Sequence, residues 1–298
     1  MNRLADKTAI VFGAGPNIGG TIAHFLAREG ARTAVCDMEE AAAKETVSFL
    51  EARGLTACPL QADASRESDV ERAVSETTAR YDVPDIIVNM AGTIHWSSVV
   101  DMELDGWLSC LTSFPTAAML TTKHAARAMI SAGKGGSIIH LLSTAAHFGE
   151  ASGAAYTAAK AAVMNFARSA AMDLAHDGIR VNTISPCAME HNLWSKMSEE
   201  ILDPEFKRPE RRSFYSRDDY LKMIPLERFP RASDLAWAAV FLASDESSFM
   251  TGADIPVDGG LRHKYPTWTP GDSTGVNIRD YARAIKRTEY GEETDDLL

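Results

Sequence analysis

Seven short, largely apolar runs, most of them rich in β-branched residues and separated by longer Ala-rich stretches, constrain this chain more than any other feature of it. Ala9–Phe12, Thr33–Cys36, Ala57–Gln61, Ile86–Asn89, Ser137–Leu142, Val181–Ser185 and Asp254–Val257 read as strands. They are close to continuously apolar rather than alternating, which is the pattern of strands covered on both faces. The segments between them are long enough for helices, and a helix joining two strands of one sheet makes a right-handed parallel crossover. The expected fold is α/β: a doubly wound, mostly parallel seven-stranded sheet with helices on both faces.

No repeat or linker interrupts residues 1–262, which are expected to form one domain. Two regions leave the alternation. Residues 188–230 are rich in charge and aromatics, including Trp194, Phe206, Phe214, Tyr215 and Tyr220, and sit where a lid would follow the sixth strand. Residues 263–298 carry Pro266, Pro270, a helical-looking Asn277–Arg287 and an acidic end, and are expected either to serve as a lid or an oligomer contact or to form a flexible acidic tail. The net charge of −11 sets up a field that repels nucleic acid and anionic membrane surfaces. No apolar stretch approaches the roughly 20 residues of a membrane helix, and Met1–Lys7 lead into the first strand without a leader pattern. A cytoplasmic protein acting on a small molecule is the expectation. Cys36, Cys58, Cys110 and Cys187 are scattered, so neither a disulfide framework nor a metal site is expected.

Chemistry enters at the first strand. Gly13-Ala14-Gly15-Pro16-Asn17-Ile18-Gly19-Gly20 precedes the helical Thr21–Glu29, and a glycine-rich turn between strand and helix lets backbone N–H groups face a pyrophosphate, as in a Rossmann-type dinucleotide site. Glycines also make ordinary turns, so position matters. Asp37 closes the second strand eighteen residues past Gly19, where a carboxylate accepts hydrogen bonds from both hydroxyls of an adenosine ribose. With Glu39 and Glu40 beside it and no basic residue in the turn, a 2′-phosphate meets repulsion, which favours NAD over NADP. The alternative for a lone Asp is a helix cap. Asp63 with Ala64 ends the third strand and Asn89-Met90-Ala91-Gly92 ends the fourth. Such positions either contact adenine and ribose or serve as turn residues.

Ser143 ends the fifth strand, and Tyr156 and Lys160 follow thirteen and seventeen residues later. Four apart on a helix, Tyr156 and Lys160 share a face. An adjacent ammonium favours phenolate, so Tyr156 is a candidate general acid/base and Ser143 a candidate anchor for the substrate oxygen. Taken alone, the pair also fits an ordinary amphipathic helix. Trp96, His147, Met189 and Trp194 follow strands four to six and are candidate pocket residues.

The combined order of the glycine turn, Asp37, Asp63, Asn89-Met90-Ala91-Gly92, Ser143, Tyr156, Lys160, Pro186, Thr251-Gly252 and Val257-Asp258-Gly259-Gly260 resembles the classical short-chain dehydrogenases/reductases over about residues 5–262. The resemblance implies an NAD(H)-dependent oxidoreductase interconverting a secondary alcohol and a ketone. Tyr156 would be the acid/base, Lys160 would hold the nicotinamide ribose and lower the phenol pKa, and Ser143 would orient substrate. Gly13, Asn17, Ile18, Gly19, Asp37, Asp63, Ala64, Asn89, Ala91, Gly92, Tyr156, Lys160, Pro186, Cys187, Ala188 and His191 would line the cofactor. Helices near 107–130 and 152–176 would build a homo-oligomer, a tetramer or dimer.

Several positions depart from the family pattern. Asn17 replaces the middle glycine of the turn, where tolerance of a left-handed backbone would preserve it. Phe12, Met90, Cys187 and His191 are also unusual. The family's catalytic asparagine falls on Phe114, followed by Pro115, which is expected either to bend the helix and free a main-chain oxygen for water or to mark a helix break. Two other classes of function remain: a dinucleotide-binding sensor or scaffold with little turnover, and an isomerase or dehydratase on the same fold.

Overall fold

The computed structural model describes residues 2–189 and 217–264. His191, Trp194, much of the expected lid and residues 265–298 lie outside the described residues. The strands are β1 Thr8–Phe12, β2 Arg32–Asp37, β3 Ala57–Gln61, β4 Ile86–Asn89, β5 Gly136–Leu141, β6 Ile179–Pro186 and β7 Asp254–Val257. They form one sheet in the order β3-β2-β1-β4-β5-β6-β7. Every described pairing is parallel, so the sheet expected to be mostly parallel is parallel throughout. The helices are α1 Ile18–Arg28, α2 Glu40–Glu51, α3 Glu67–Arg80, α4 Leu104–Ser131, α5 Ala154–Leu174, α6 Arg217–Met223 and α7 Ala232–Ala243.

Both faces of the sheet are covered, which explains the unbroken apolar runs. Successive side chains of a strand point to opposite faces. Ala9 and Val11 of β1 join α1, α2 and α7 through Ile22, Leu26, Val47, Leu50, Leu235 and Leu242. Ile10 and Phe12 join α3, α4 and α5 through Val70, Leu120, Met129 and Ala170. Burying each Val, Leu or Ile contributes about 1.5–3 kcal/mol, so a polar residue on either face of a central strand would cost stability. The chain winds from β1 outward to β3, then returns to place β4 on the other side of β1. That reversal opens a crevice at the carboxyl ends of β1 and β4, the switch point where ligands bind in such sheets.

Local details differ from expectation. Helix α1 starts at Ile18 because the Asn17 side chain caps it, accepting from the N–H of Gly19 at 2.7 Å. Asn17 itself is extended, with φ −144°, not left-handed. The turn therefore keeps its path by capping, a role in which asparagine is favoured. Helix α4 contains Pro115 and continues through it, so the Phe-Pro pair does not mark a helix break. Without an N–H on Pro115, the Leu111 carbonyl still lacks its helical donor.

Candidate active site

The crevice is lined first by the glycine turn. Gly13 and Ala14 donate to the Cys36 carbonyl at 2.9 Å, and Gly15 donates to Asp37 Oδ2 at 2.8 Å. Among the described residues the N–H of Ile18, at the start of α1, has no acceptor, so it remains open to a ligand. A Cβ on Gly19 would lie 2.2 Å from the Gly13 carbonyl oxygen, which shows how closely α1 approaches β1. Met90 packs against this same turn, its sulfur 2.9 Å from that Cβ position.

Asp37 sits at the tip of β2 with Oδ1 accepting from Glu39 N–H at 3.1 Å and Oδ2 from Gly15. Each carboxylate oxygen retains a lone pair for a further donor. The cradle thus suits an adenosine ribose. Asp63 forms a turn instead of a bare acceptor: its Oδ1 takes both the N–H of Ser65 at 2.9 Å and its hydroxyl at 2.6 Å. Ala64 is buried in the core. Asn89, at the end of β4, is buried and accepts from Ala91 N–H at 3.1 Å. Gly92 touches Phe114 so closely that a Cβ would come within 2.1 Å of its ring.

The second wall is built by β5 and the packing of α4 on α5. Ser143 is extended and starts a short 3₁₀ turn, Thr144–Ala146, by accepting from Ala145 N–H at 3.1 Å. Ala155, Ala159 and Val163 of α5 pack on Phe114 and Ala118 of α4, and small residues at such a contact let the helices approach. Tyr156 and Lys160 emerge from this seam. The Tyr156 hydroxyl faces the Ser143 side chain, which favours its phenolate form. Lys160 is buried and donates from Nζ to the Leu141 carbonyl at 2.8 Å. The structure therefore brings Ser143, Tyr156 and Lys160 together beside the glycine turn's crevice.

Electrostatics differ from the simple expectation. Burial pushes the Tyr156 phenol up to about 12 despite the opposing effect of the Ser143 side chain, and the ammonium of Lys160 does not bring it down. Its nitrogen is 5.8 Å from the tyrosine ring and instead faces the Leu141 carbonyl and the ring of Phe114. Burial lowers Lys160 itself to about 7.

Trp96 leans on Tyr156 with ring centroids 5.6 Å apart, and its loop is fixed by Ser97 N–H donating to Ser152 at 2.9 Å. His147 turns toward β7, bonding Asp254 at 2.9 Å and contacting Arg262. Pro186 pairs with Val257 at the end of β6. Burial raises the Cys187 thiol to about 12, so it stays protonated. Ala188 N–H donates to Tyr220 at 3.1 Å, and Met189 packs against the core. The Leu141 carbonyl, Arg262 and the contact of the Phe114 ring with Lys160 escaped the sequence reading. Backbone acceptors and long-range partners leave no local pattern, although Phe114 stood out as a departure.

A family profile described as enoyl-(acyl carrier protein) reductase matches residues 13–262. The chain belongs to the classical short-chain dehydrogenases/reductases. It is similar to the sorbitol dehydrogenase of Cereibacter sphaeroides, 32% identical over 87% of this chain and 98% of that protein. It also resembles the 2,5-dichloro-2,5-cyclohexadiene-1,4-diol dehydrogenase of Sphingobium indicum, 30% identical over 87% of this chain and 97% of the relative. A short-chain dehydrogenase/reductase structure from Mycobacterium marinum superposes with a TM-score of 0.76 at 29% identity, covering 88% of this chain and 97% of that one. As a member of the short-chain dehydrogenases/reductases, the protein belongs to a family of oxidoreductases. No helix among its described residues is long and apolar enough to cross a membrane.

Proposed function

We propose that this short-chain dehydrogenase/reductase interconverts a secondary alcohol and a ketone with NAD(H), using Tyr156 as the general acid/base. The observation that carries the reading is the meeting of Tyr156 with Ser143 at the mouth of a crevice whose other wall is the glycine turn. Asp37, already bonded to that turn, would hold the adenosine ribose, and the free N–H of Ile18 would meet the pyrophosphate. Lys160 would hold the nicotinamide ribose. The nicotinamide, when bound, supplies the hydride acceptor or donor.

The protein's own residues handle the proton. Ser143 orients the substrate oxygen toward Tyr156, and the tyrosine hydroxyl takes the proton from an alcohol or gives it to a forming alkoxide. A phenol held near 12 favours the protonated form, so it is ready to donate during reduction. Oxidation requires positive charge nearby to stabilise phenolate, which an oxidised nicotinamide would supply. Trp96, packed against Tyr156, gives this mouth an apolar side and supports substrates with an apolar portion next to the reacting carbon.

The test is NADH production against a panel of small secondary alcohols, with Tyr156→Phe alongside. Turnover should fall at least about a hundredfold in the variant, the low end for a removed acid/base, while NADH binding persists. Undiminished turnover in Tyr156→Phe would remove this mechanism, and no turnover on any alcohol would turn attention to a binding or non-redox role.

A further inference from the structure

We infer that Phe114 is a positioning residue for Lys160: its ring face serves as the ammonium's electrostatic partner and holds Nζ against the carbonyl of Leu141. The inference deepens the reading of Lys160 as part of the active site and rests on it. Lys160 Nζ stands 4.1 Å from the ring centroid and 2.8 Å from the Leu141 oxygen. Both side chains are 4% exposed, so water does not surround the charge. Among the described residues no carboxylate pairs with Lys160. A buried ammonium without a counter-charge needs a substitute, and the negative face of an aromatic ring is one.

The ring is held in place on its other sides. Gly92 abuts it so tightly that even a methyl group there would overlap Cδ1 at 2.1 Å, and Tyr156 meets it edge to face with centroids 5.6 Å apart. Phe114 thus touches the residue that moves the proton and the residue that holds the charge. The titratable groups facing Lys160 are Tyr156 on its own helix and His140 on β5. From α4, Phe114 meets the ammonium itself and Cys110 lies toward Tyr156. His140 is uncharged near neutral pH, since burial and the charge of Lys160 lower it to about 3. Neither it nor the protonated Tyr156 competes with the ring as a partner.

The ring-face attraction stabilises the ammonium, so weakening it must lower the lysine's pKa. The full chain is prepared with mono-, di- and trifluorophenylalanine at position 114, which drains the ring face at nearly constant volume. The titration of Lys160 is followed by carbon NMR of ε-labelled lysine, its signal assigned by its absence in Lys160→Arg. The expected result is a stepwise fall reaching about one pH unit when the ring face is lost, the size of a desolvated cation–π contact. Phe114→Tyr should leave the titration near that of the native chain, and Phe114→Leu should lower it like the trifluoro ring. An unchanged titration across the fluorine series, or equal shifts in Phe114→Tyr and Phe114→Leu, would overturn the inference. Because the readout needs no turnover, a fluorine-dependent shift in a chain that oxidises no alcohol would uphold the role of Phe114 and sink the dehydrogenase reading separately.

Discussion

Asp37 joins two tasks in one side chain. By accepting from Gly15 it fixes the turn that faces a pyrophosphate, and by ending β2 it presents its remaining lone pairs where ribose hydroxyls would arrive. Glu39 and Glu40, both exposed beside it, add negative charge at the same place. A 2′-phosphate would have to displace or neutralise this group. Isothermal titration should therefore show NADH binding more tightly than NADPH, with Asp37→Ala narrowing the gap; equal affinities in the native chain would contradict the argument. The meeting of Ser143, Tyr156 and Lys160 was legible in the family order. What was not legible is how their charges balance. A sequence shows that Lys160 is one helical turn from Tyr156, but not that its ammonium is directed to a main-chain oxygen and to a ring 46 positions earlier.

Among the elements, α1 shows most clearly what a strand-turn-helix unit demands. Its first turn rests on β1 with no space for a side chain at Gly19, because the obstacle is the Gly13 carbonyl, part of the backbone rather than a flexible side chain. Gly19→Ala should lift α1 from the strand and destabilise the fold by about 1–3 kcal/mol, the usual cost of overpacking. Urea unfolding measures that loss, and NADH affinity should fall with it; a variant as stable as the native chain would mean that α1 shifts freely. The strands could be read closely from the sequence because burial on both faces leaves β-branched runs with sharp ends. The beginning of α1 could not, since a capping asparagine and a left-handed asparagine look identical until φ is known. The continuity of α4 was hidden for a related reason: Pro115 signals a missing hydrogen bond, but the packing of α4 on α5 decides whether the helix goes on.

At the scale of the whole molecule, a sheet covered on both faces removes bases as well as apolar groups from water. His140 lies in the interior strand β5, fully buried, and among the described residues Thr122 at 3.0 Å is the only partner for its ring nitrogens. Its pKa is lowered to about 3 from 6.5 by burial and by Lys160. Between those values the unfolded chain binds a proton that the folded chain does not, so this group's contribution to stability is lost as pH falls from 6.5 toward 3. From pH 7 to pH 5 the loss should be on the order of 2 kcal/mol. Urea melts at the two pH values should show His140→Gln losing correspondingly less than the native protein; an identical loss would exclude His140 as the source. Assembly follows from the same architecture. Leu108, Met119 and Ile130 of α4 and Met172 of α5 remain exposed, which supports the proposal of a dimer or tetramer.

The clamp on Arg262 has a mechanical consequence. Its guanidinium, 8% exposed, is gripped by Asp254 at 2.7 Å and Asp258 at 3.1 Å and also meets His147, four residues beyond Ser143. A pull applied at Arg262 is therefore met by this fixed post and passes first, through His147, to the turn that follows Ser143. The amino-terminal end is attached at the other extremity of the strands, where Arg3 is tethered to Glu246. A pull at Arg3 therefore bears on the starts of the strands, away from Ser143, whereas one at Arg262 bears on the turn beside it.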